Sequence, residues 1–334
     1  MSDESDELIL GLETSCDDTS CAVVAPDGRV LGAATVSQIE LHNQWGGIVP
    51  ELASRAHIDK VLVAVDTALT EAGVDPARLT AIGVTRGPGL IGSLKVGVDT
   101  AQALGYGWDK PVLGVNHLRG HLRSADLEEK RVTFPALILL VSGGHTLLAH
   151  MTSSADIRLL GSTVDDSLGE AYDKVARMLG LGYPGGPVVD RLAKDGTASI
   201  PFPRPMLADG LNFSFSGLKT AVRNFLAEHP DAPPADVAAS FVAACLEVLE
   251  VKCRRALRQV EAESLVIVGG VAASPQVRQR AEAMCTDLGV KLCLPPLRWS
   301  TDNGAMIGLA AWDYLARGVD VGLRPTSSLS LDLF

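Results

Sequence analysis

Residues 8–32 read "LILGLETSCDDTSCAVVAPDGRVLG", which is an apolar run, a polar turn, a second apolar run and an Asp-Gly turn into a third. This alternation predicts three β-strands joined by tight turns. Residues 136–161, "ALILLVSGGHTLLAHMTSSADIRLLG", repeat the pattern. In both places a helical segment follows, and then an apolar strand that ends in a Gly-rich turn, "AIGVTRGPG" from Ala81 and "LVIVGGVAAS" from Leu265.

Each copy continues with a helix, a further strand and a closing helix, the further strands being "PVLGVN" at 111–116 and "VKLCLPP" at 290–296. The order β-β-β-α-β-α-β-α therefore occurs twice, and the second copy carries an insertion near residues 162–235. This pattern predicts a duplicated α/β fold of the actin-like and sugar-kinase-like (ASKHA) type, with two lobes around a central cleft. We expect the lobes to comprise residues 1–130 and 131–334.

The composition agrees with two lobes, because 334 residues exceed the ~250–300 at which single cores stop growing. The six cysteines form no C-x-x-C pair, so neither a zinc knuckle nor a dithiol redox site is expected. No apolar run approaches the ~18 residues of a membrane span. The first residues, "MSDESDE", are acidic where a signal peptide would be basic, so the sequence predicts a cytoplasmic protein without a membrane partner.

The net charge of −11 excludes a surface that binds nucleic acid nonspecifically over its whole area. A nucleic-acid substrate would need a local basic patch or a partner to supply positive charge. The candidates for such a patch are Lys252–Arg258, "KCRRALR", and the pair Arg119 and Arg123. Charge runs of this kind are more commonly solvated helix faces.

His117 and His121 lie four residues apart at the start of the last helix of the first repeat. Two imidazoles at this spacing share a helix face, and the repeat places Asp302 at the corresponding helix start of the second copy. Pseudo-symmetry then predicts that Asp302 faces the pair across the cleft and completes an open site for one divalent metal ion. The alternative is a capped helix start with two polar residues at a lobe edge.

Other motifs indicate anion binding less specifically. The amides of Ser142-Gly143-Gly144 in "LLVSGGHT" can form a nest for a phosphate or carboxylate, although ordinary hairpins also use Gly-Gly. A helix that opens at Ser274 would direct its N-terminus toward a nucleotide. "GPGLIG" at 87–92 matches a dinucleotide-binding pattern, but its context favours a tight turn with glycines for close packing.

Nine motifs, in order, resemble the TsaD/Gcp family of tRNA N6-adenosine threonylcarbamoyltransferases. They cover nearly the whole chain: "GLETSCDDTS", "SQIELHNQWGGIVPELASRAH", "GPGLIGSLKVG", "GVNHLRGHL", "LLVSGGHT", "DDSLGEAYDKVARMLGLGYPGGP", "FSFSGLKTAV", "VIVGGVAAS" and "STDNGAMIG". The bacterial form is favoured because no kinase domain is fused to either end. The resemblance implies transfer of a threonylcarbamoyl group from threonylcarbamoyl-AMP to N6 of the adenosine 3′ of the anticodon, in tRNAs that read codons beginning with A.

The resemblance also implies roles for individual residues. His117, His121 and Asp302 would ligate one divalent metal ion, with Fe(II) favoured over Zn(II). The residues that would hold the threonylcarbamoyl-adenylate are Leu140, Val141, Ser142, Gly143, Gly144, Asp173, Gly186 and Asp190. Ser274 stands where the family usually has an asparagine that contacts the nucleotide, and its shorter hydroxyl can still donate one hydrogen bond.

Asp17 and Asp18 lie on the turn of the first repeat that is equivalent to the Ser-Gly-Gly turn of the second. They are candidates for accepting the amine proton or for placing the threonyl group. The resemblance implies tRNA, a TsaB-like paralogue and a TsaE-like ATPase as partners, and the acidic surface suggests that tRNA is recruited with help.

Two other functions remain open at this point. A metalloendopeptidase is disfavoured because the general-base glutamate of H-E-x-x-H is replaced by Leu118, and Gly120 occupies the position used by the inverted motif. A noncatalytic actin-like module that binds a nucleotide would have the hairpin turns without a metal triad.

Overall fold

The computed structural model describes residues 7–129 and 131–331. The acidic residues 1–6, which contribute to the localisation prediction, lie outside this part. The chain divides into two compact units. Unit 1 contains the chain up to His42, Ile48–Arg131 and the stretch from Pro295 onward, and unit 2 contains Asn43–Gly47 and Val132–Leu294.

The described residues form ten strands and ten α-helices. The strands are β1 Ile9–Glu13, β2 Asp18–Val24, β3 Val30–Ser37, β4 Ala81–Gly87, β5 Val112–Asn116, β6 Ala136–Val141, β7 Thr146–Met151, β8 Ile157–Ser162, β9 Ser264–Val268 and β10 Lys291–Cys293. The helices are α1 Ile39–Asn43, α2 Pro50–Ala72, α3 Ile91–Trp108, α4 His117–Arg123, α5 Leu168–Met178, α6 Gly185–Ala193, α7 Ser216–Glu228, α8 Pro234–Leu257, α9 Pro275–Leu288 and α10 Gly304–Ala316.

The two sheets confirm the predicted duplication. Unit 1 has the strand order β3-β2-β1-β4-β5, and unit 2 has the equivalent order, read from its other edge, β10-β9-β6-β7-β8. In each sheet the three hairpin-connected strands are antiparallel, and the later strands join in parallel. Helices α5, α6 and α7 lie between β8 and α8, within the span where the sequence predicts an insertion.

The central strands are buried along their whole length, which explains why they read as continuous apolar runs. All five residues of β1 and all six of β6 are buried. Strands covered by helices on both faces lose the alternation of polar and apolar residues that half-exposed strands show. In unit 1, α2 and α3 contribute to one apolar cluster with the sheet, and α10 contributes to a second.

The C-terminal stretch belongs to unit 1, so its assignment to the second lobe is wrong. Helix α10 packs on strands β1 and β2, and small residues allow its backbone to approach them closely. A Cβ added to Gly304 would lie 2.7 Å from the Cys21 backbone, and one added to Gly11 would lie 2.1 Å from the Gly304 carbonyl oxygen. Glycines four residues apart, Gly304 and Gly308, share the helix face that makes this contact.

Replacing Gly11 with alanine should therefore destabilise unit 1. The new methyl group would meet backbone atoms of Gly304 and Gly308, which cannot rotate away as a flexible side chain could. We expect the free energy of unfolding, measured by urea titration, to fall by about 2–3 kcal/mol. The control is Gly107→Ala in α3, where no atom lies within 4 Å of the added Cβ and the change should be neutral or slightly stabilising. Equal stability of both variants would contradict this packing.

The two predicted basic patches are engaged in contacts within the protein. Lys252 is fully buried, and its ammonium donates to the carbonyl oxygens of Met206, Asp209 and Gly210. Arg254 pairs with Glu250 at 2.8 Å and with Asp287 at 2.7 Å. These cations therefore do not form a free surface for nucleic acid.

The second candidate pair is also engaged within unit 1, with Arg119 buried and Arg123 partly buried. Arg119 donates from Nε to the Leu331 carbonyl oxygen at 3.3 Å, and Arg123 pairs with Asp126 and Asp313. Both arginines therefore bind groups of the protein around α4. They are not free to bind nucleic acid there.

Replacing Lys252 with methionine should destabilise unit 2 strongly. Burial lowers the pKa of Lys252, but its ammonium donates hydrogen bonds to three carbonyl oxygens. Methionine has no donor group and cannot replace these bonds. Leaving buried acceptors without a donor should lower the free energy of unfolding by about 2–4 kcal/mol. Lys95→Met is the comparison, because Lys95 makes an exposed ion pair with Asp99 and should contribute less than about 1 kcal/mol. A similar urea midpoint for both variants would refute the role of the buried ammonium.

No helix within the described ranges is both long and apolar enough to cross a bilayer. All six cysteines are free thiols, and five of them are buried.

Candidate functional site

The histidine pair lies on the short helix α4 of unit 1, which begins directly after strand β5. The strand ends at Asn116, whose side-chain oxygen accepts the Leu118 backbone N–H at 2.9 Å and so caps α4. His117 and His121 lie one turn apart on this helix, and their ring centroids are 4.7 Å apart with an interplanar angle of 78°. The predicted shared face is therefore observed.

Asp302 meets both imidazoles. Asn303 caps α10 by accepting the Met306 N–H at 2.8 Å, so Asp302 lies just before the cap and does not itself start the helix. Its Oδ1 is 3.1 Å from His121 Nε2 and 3.7 Å from His117 Nε2. One ligand atom from each of the three residues lies within 4.8 Å of the other two.

The triad lies within unit 1, which corrects the expectation that its carboxylate comes from the second lobe. Asp302 precedes α10, and α10 packs on β1 and β2 of the same sheet that ends in α4. The close approach of Gly304 and Gly308 to these strands fixes the position of Asp302. Pseudo-symmetry in sequence thus identified the residue but placed it on the wrong unit.

The polar atoms at the triad fit a bound cation. His121 is fully buried, and neither of its ring nitrogens makes a hydrogen bond to any residue that the structure describes. Its Nε2 is close to Asp302 without hydrogen-bond geometry, which is expected when side chains converge on a common point rather than on each other. Two imidazoles and one carboxylate are a donor set suited to a divalent transition metal.

A buried carboxylate stands behind the pair. Glu13, at the end of β1, is 0% exposed, and its Oε2 lies 2.9 Å from His117 Nδ1. Burial disfavours the imidazolium, but Glu13 and Asp302 outweigh it and raise the pKa of His117 to about 9. For Glu13, burial also disfavours the charged form and so raises the pKa. The attraction and hydrogen bond of His117 outweigh this effect and hold the Glu13 pKa below its usual value. A proton and a metal ion compete for the same Nε2 lone pair.

Asp17 and Asp18 follow β1 in the same unit. Burial, with Asp302 second, raises the pKa of Asp17. Burial raises the pKa of Asp18 to about 7, although a hydrogen bond with Ser37 works against it. The Oδ1 of Asp18 is buried and has no hydrogen-bond partner among the described residues. A carboxylate that is partly protonated near neutrality has the proton affinity that a general base requires.

The predicted anion nest lies at the β6–β7 turn of unit 2. Gly143 and Gly144 are exposed, and a side chain on either would meet no atom within 4 Å. Helix α5 starts against this turn, because a Cβ on Gly169 would lie 2.7 Å from Gly143 Cα. Leu140 and Val141 have buried side chains, so only their backbone could contact a ligand.

Asp173 on α5 organises the start of α6. Its Oδ1 accepts the Gly185 N–H at 2.7 Å, and a Cβ on Gly185 would lie 2.6 Å from Asp173 Cα. Gly186 follows in the first turn of α6 with open space around it. The Asp173 carboxylate therefore holds the Gly185-Gly186 turn in place through the hydrogen bond that its Oδ1 accepts.

Asp190 lies further along α6 and is 5% exposed. Its Oδ1 makes no hydrogen bond to any residue in the described part of the chain. Burial raises its pKa, and the neighbouring Ser274 hydroxyl opposes that shift. The Ser274 oxygen also caps α9 by accepting the Val277 N–H at 3.3 Å, and its hydroxyl proton is the one that faces Asp190.

A sequence model of the family described as TsaD, tRNA N6-adenosine threonylcarbamoyltransferase, matches residues 29–309. The chain belongs to this family. A curated relative with the same name from Anaeromyxobacter dehalogenans (strain 2CP-1) is 49% identical over 320 residues, which are 94% of this chain and 96% of the relative. The Bacillus subtilis (strain 168) relative is 42% identical over 325 residues, covering 96% and 94%.

Solved structures show the fold. The crystal structure of T.kodakarensis HypF superposes with a TM-score of 0.62 at 14% identity, covering 93% of this chain and 48% of that chain. Component A of (R)-2-hydroxyglutaryl-CoA dehydratase from Acidaminococcus fermentans gives a TM-score of 0.56 at 15% identity, covering 92% and 99%. The predicted duplicated actin-like fold is confirmed.

Sequence reasoning missed two residues that the structure places beside the predicted site residues, Glu13 next to His117 and Tyr172 next to Asp190. Glu13 closes "LILGLE", and a carboxylate at the end of an otherwise apolar buried strand was the available signal. Tyr172 is fully buried beside Asp190, but a tyrosine within an amphipathic helix gives no comparable signal.

Proposed function

We propose that this protein transfers the threonylcarbamoyl group of threonylcarbamoyl-AMP to N6 of the adenosine 3′ of the anticodon in tRNAs that read codons beginning with A. The observation that carries the proposal is the convergence of His117, His121 and Asp302 in a chain of this family. An exocyclic adenine amine is a weak nucleophile because its lone pair is delocalised into the ring. The residues therefore have to activate the carbonyl that is attacked.

We assign the triad to one divalent ion. Two histidines and one carboxylate with open positions are typical of Fe(II), which we favour over Zn(II). Such an ion would supply Lewis-acid polarisation of a carbamoyl or phosphoryl oxygen. The protein's own contribution is to bury both imidazoles, and to orient His117 through the Glu13 carboxylate.

Unit 2 residues are assigned to the adenylate. Within the Ser142-Gly143-Gly144 turn, Gly143 and Gly144 are exposed and offer backbone amides for anionic oxygens, which would stabilise charge on the departing phosphate, while the buried Ser142 holds the turn by donating its backbone N–H to the His145 carbonyl at 2.8 Å. Asp190 would accept hydrogen bonds from the adenosine half through its unpaired oxygen. Asp173 would hold the Gly185-Gly186 turn against the same half, and Ser274 would donate one hydrogen bond.

Asp18 is the better placed of the two acidic residues to accept the amine proton. Its pKa of about 7 and its unpaired buried oxygen support this role, while Asp17 is assigned to placing the threonyl group. We propose that tRNA docks with the help of a TsaB-like paralogue and a TsaE-like ATPase, because the net charge of −11 opposes direct recruitment. The reaction would take place in the cytoplasm, where tRNA is modified.

The residues of the site do not favour the two alternative functions, a metalloendopeptidase and a noncatalytic nucleotide-binding module. A metalloendopeptidase needs a general-base glutamate beside its histidines, and Leu118 and Gly120 occupy the two positions that would supply it. A noncatalytic nucleotide-binding module does not require a buried His-His-Asp triad. Relatives that are 42–49% identical carry the transferase name.

The decisive experiment is mass spectrometry of tRNA nucleosides. Unmodified tRNA, threonylcarbamoyl-AMP and the candidate partner proteins are incubated with and without this chain. We expect N6-threonylcarbamoyladenosine only when the chain is present. Equal modification in both reactions would overturn the proposal.

A further inference from the structure

A carboxylate that the reaction does not require for substrate contact lies directly behind the metal triad. Glu13 is 0% exposed, and three donors surround it. Its Oε1 accepts the Ser15 backbone N–H, and its Oε2 accepts the Thr85 hydroxyl at 2.6 Å and lies 2.9 Å from His117 Nδ1. An ionised carboxylate can only accept hydrogen bonds, so the atom that donates to it from the imidazole is Nδ1–H.

We propose that Glu13 is a positioning residue of the metal centre: it keeps the His117 proton on Nδ1 and thereby leaves the Nε2 lone pair directed at the triad. This inference rests on the proposed metal role of His117, His121 and Asp302. A neutral imidazole carries one N–H and one lone pair, so fixing the proton on one nitrogen fixes the ligand atom on the other. Partners of this kind orient metal-binding histidines in many proteins.

The competing partner of Nδ1 is weaker. The Ser15 hydroxyl lies 3.2 Å from Nδ1, and a hydroxyl can either donate or accept. It therefore selects neither tautomer. The charged oxygen of Glu13 at the shorter distance decides which one is present.

The carboxylate is held rigidly by its surroundings. Thr14 donates to the Ser93 carbonyl at 2.9 Å, and the Leu90 N–H donates to the Ser15 carbonyl at 2.8 Å. The start of α3 thus fixes the turn that follows Glu13. "GPGLIG" serves this contact, since a Cβ on Gly89 would lie 2.7 Å from the Ser15 carbonyl oxygen. The tight-turn interpretation of that motif fits this close packing.

The test measures metal affinity independently of transfer. Metal-free protein is titrated with Zn(II) or Fe(II) in competition with a chromophoric chelator. We expect Glu13→Gln to weaken binding by about 10–100-fold, because an amide cannot accept from all three donors, and Ser15→Ala to weaken it by less than about threefold. Asp165→Asn is the matched control: Asp165 accepts hydrogen bonds from Ser214, Phe215 and Ser216 away from the triad, and its loss should leave metal affinity unchanged.

A second measurement needs no substitution. In wild-type protein labelled with ¹⁵N-histidine and loaded with Zn(II), long-range ¹H–¹⁵N correlation spectra should show His117 protonated at Nδ1 and bound through Nε2. Binding through Nδ1 would overturn the inference, as would a Glu13→Gln affinity within threefold of wild type. Wild-type protein that binds neither metal would overturn the proposed metal site as well, and so distinguishes the two failures.

Discussion

Replacing His121 with alanine is expected to abolish metal binding and to lower the rate of threonylcarbamoyl transfer at least about 1,000-fold. The side chain is fully buried, and its removal leaves only His117 and Asp302 as ligands. Polarisation of an oxygen by a bound cation contributes several kcal/mol to a transition state, and about 4 kcal/mol corresponds to three orders of magnitude in rate. Metal analysis of the purified variant and nucleoside mass spectrometry measure the two effects.

The control for His121→Ala is His229→Ala. His229 is an exposed histidine at the end of α7 that stacks on Phe225, so its loss should change neither metal content nor transfer. A circular dichroism melt should show that both variants fold. Undiminished transfer by metal-free His121→Ala protein would remove the ion from the mechanism.

Replacing Asp190 with alanine should raise the KM for threonylcarbamoyl-AMP by about 100-fold and leave kcat within about threefold. Asp190 is buried and has an unpaired oxygen in unit 2. A hydrogen bond from a ligand to a charged acceptor contributes about 1.5–3 kcal/mol, or a factor of roughly 10–150 in affinity. Steady-state kinetics at saturating tRNA measures both constants. Asp195→Asn, an exposed carboxylate near the end of the same helix, is the control.

The same residue predicts a pH dependence. Burial raises the pKa of Asp190, so its carboxylate becomes protonated at a higher pH than an ordinary aspartate, whose pKa is about 3.9. The protonated form loses acceptor capacity, and the KM for the adenylate should therefore rise as the pH falls. This rise should be absent in Asp190→Ala. An adenylate KM that does not change with pH in the wild type would contradict the role of the ionised carboxylate.

The repeat in the sequence was sufficient to predict the fold. Strands β1 and β6 are long apolar runs bounded by turn residues, and their burial in two equivalent sheets follows from that pattern. The histidine pair could also be predicted from the sequence, because a four-residue spacing on a helix places two side chains on one face regardless of the surroundings of the helix. Local periodicity carries this information without any long-range contact.

Other features depended on contacts between distant parts of the chain. Lys252 looked like part of a basic patch, but the loop at 206–210 folds over it and supplies three carbonyl acceptors. Glu13 gives no sign of a partner in the sequence, because His117, whose Nδ1 lies 2.9 Å from its carboxylate, is 104 residues away along the chain. Hydrogen-bond partners of buried charges are set by packing, which composition does not report.

The amino-acid sequence by itself determined the duplicated α/β fold, the three residues of the candidate metal site and the family. Only the tertiary structure decided that Asp302 joins His117 and His121 within unit 1. The physical reason is steric: Gly11, Gly304 and Gly308 have no side chains, so α10 can lie against β1 and carry Asp302 to the end of β5. The repeat in the sequence cannot show that α10, the closing helix of the second copy, packs in unit 1. That placement depends on how closely the backbones of α10 and β1 approach.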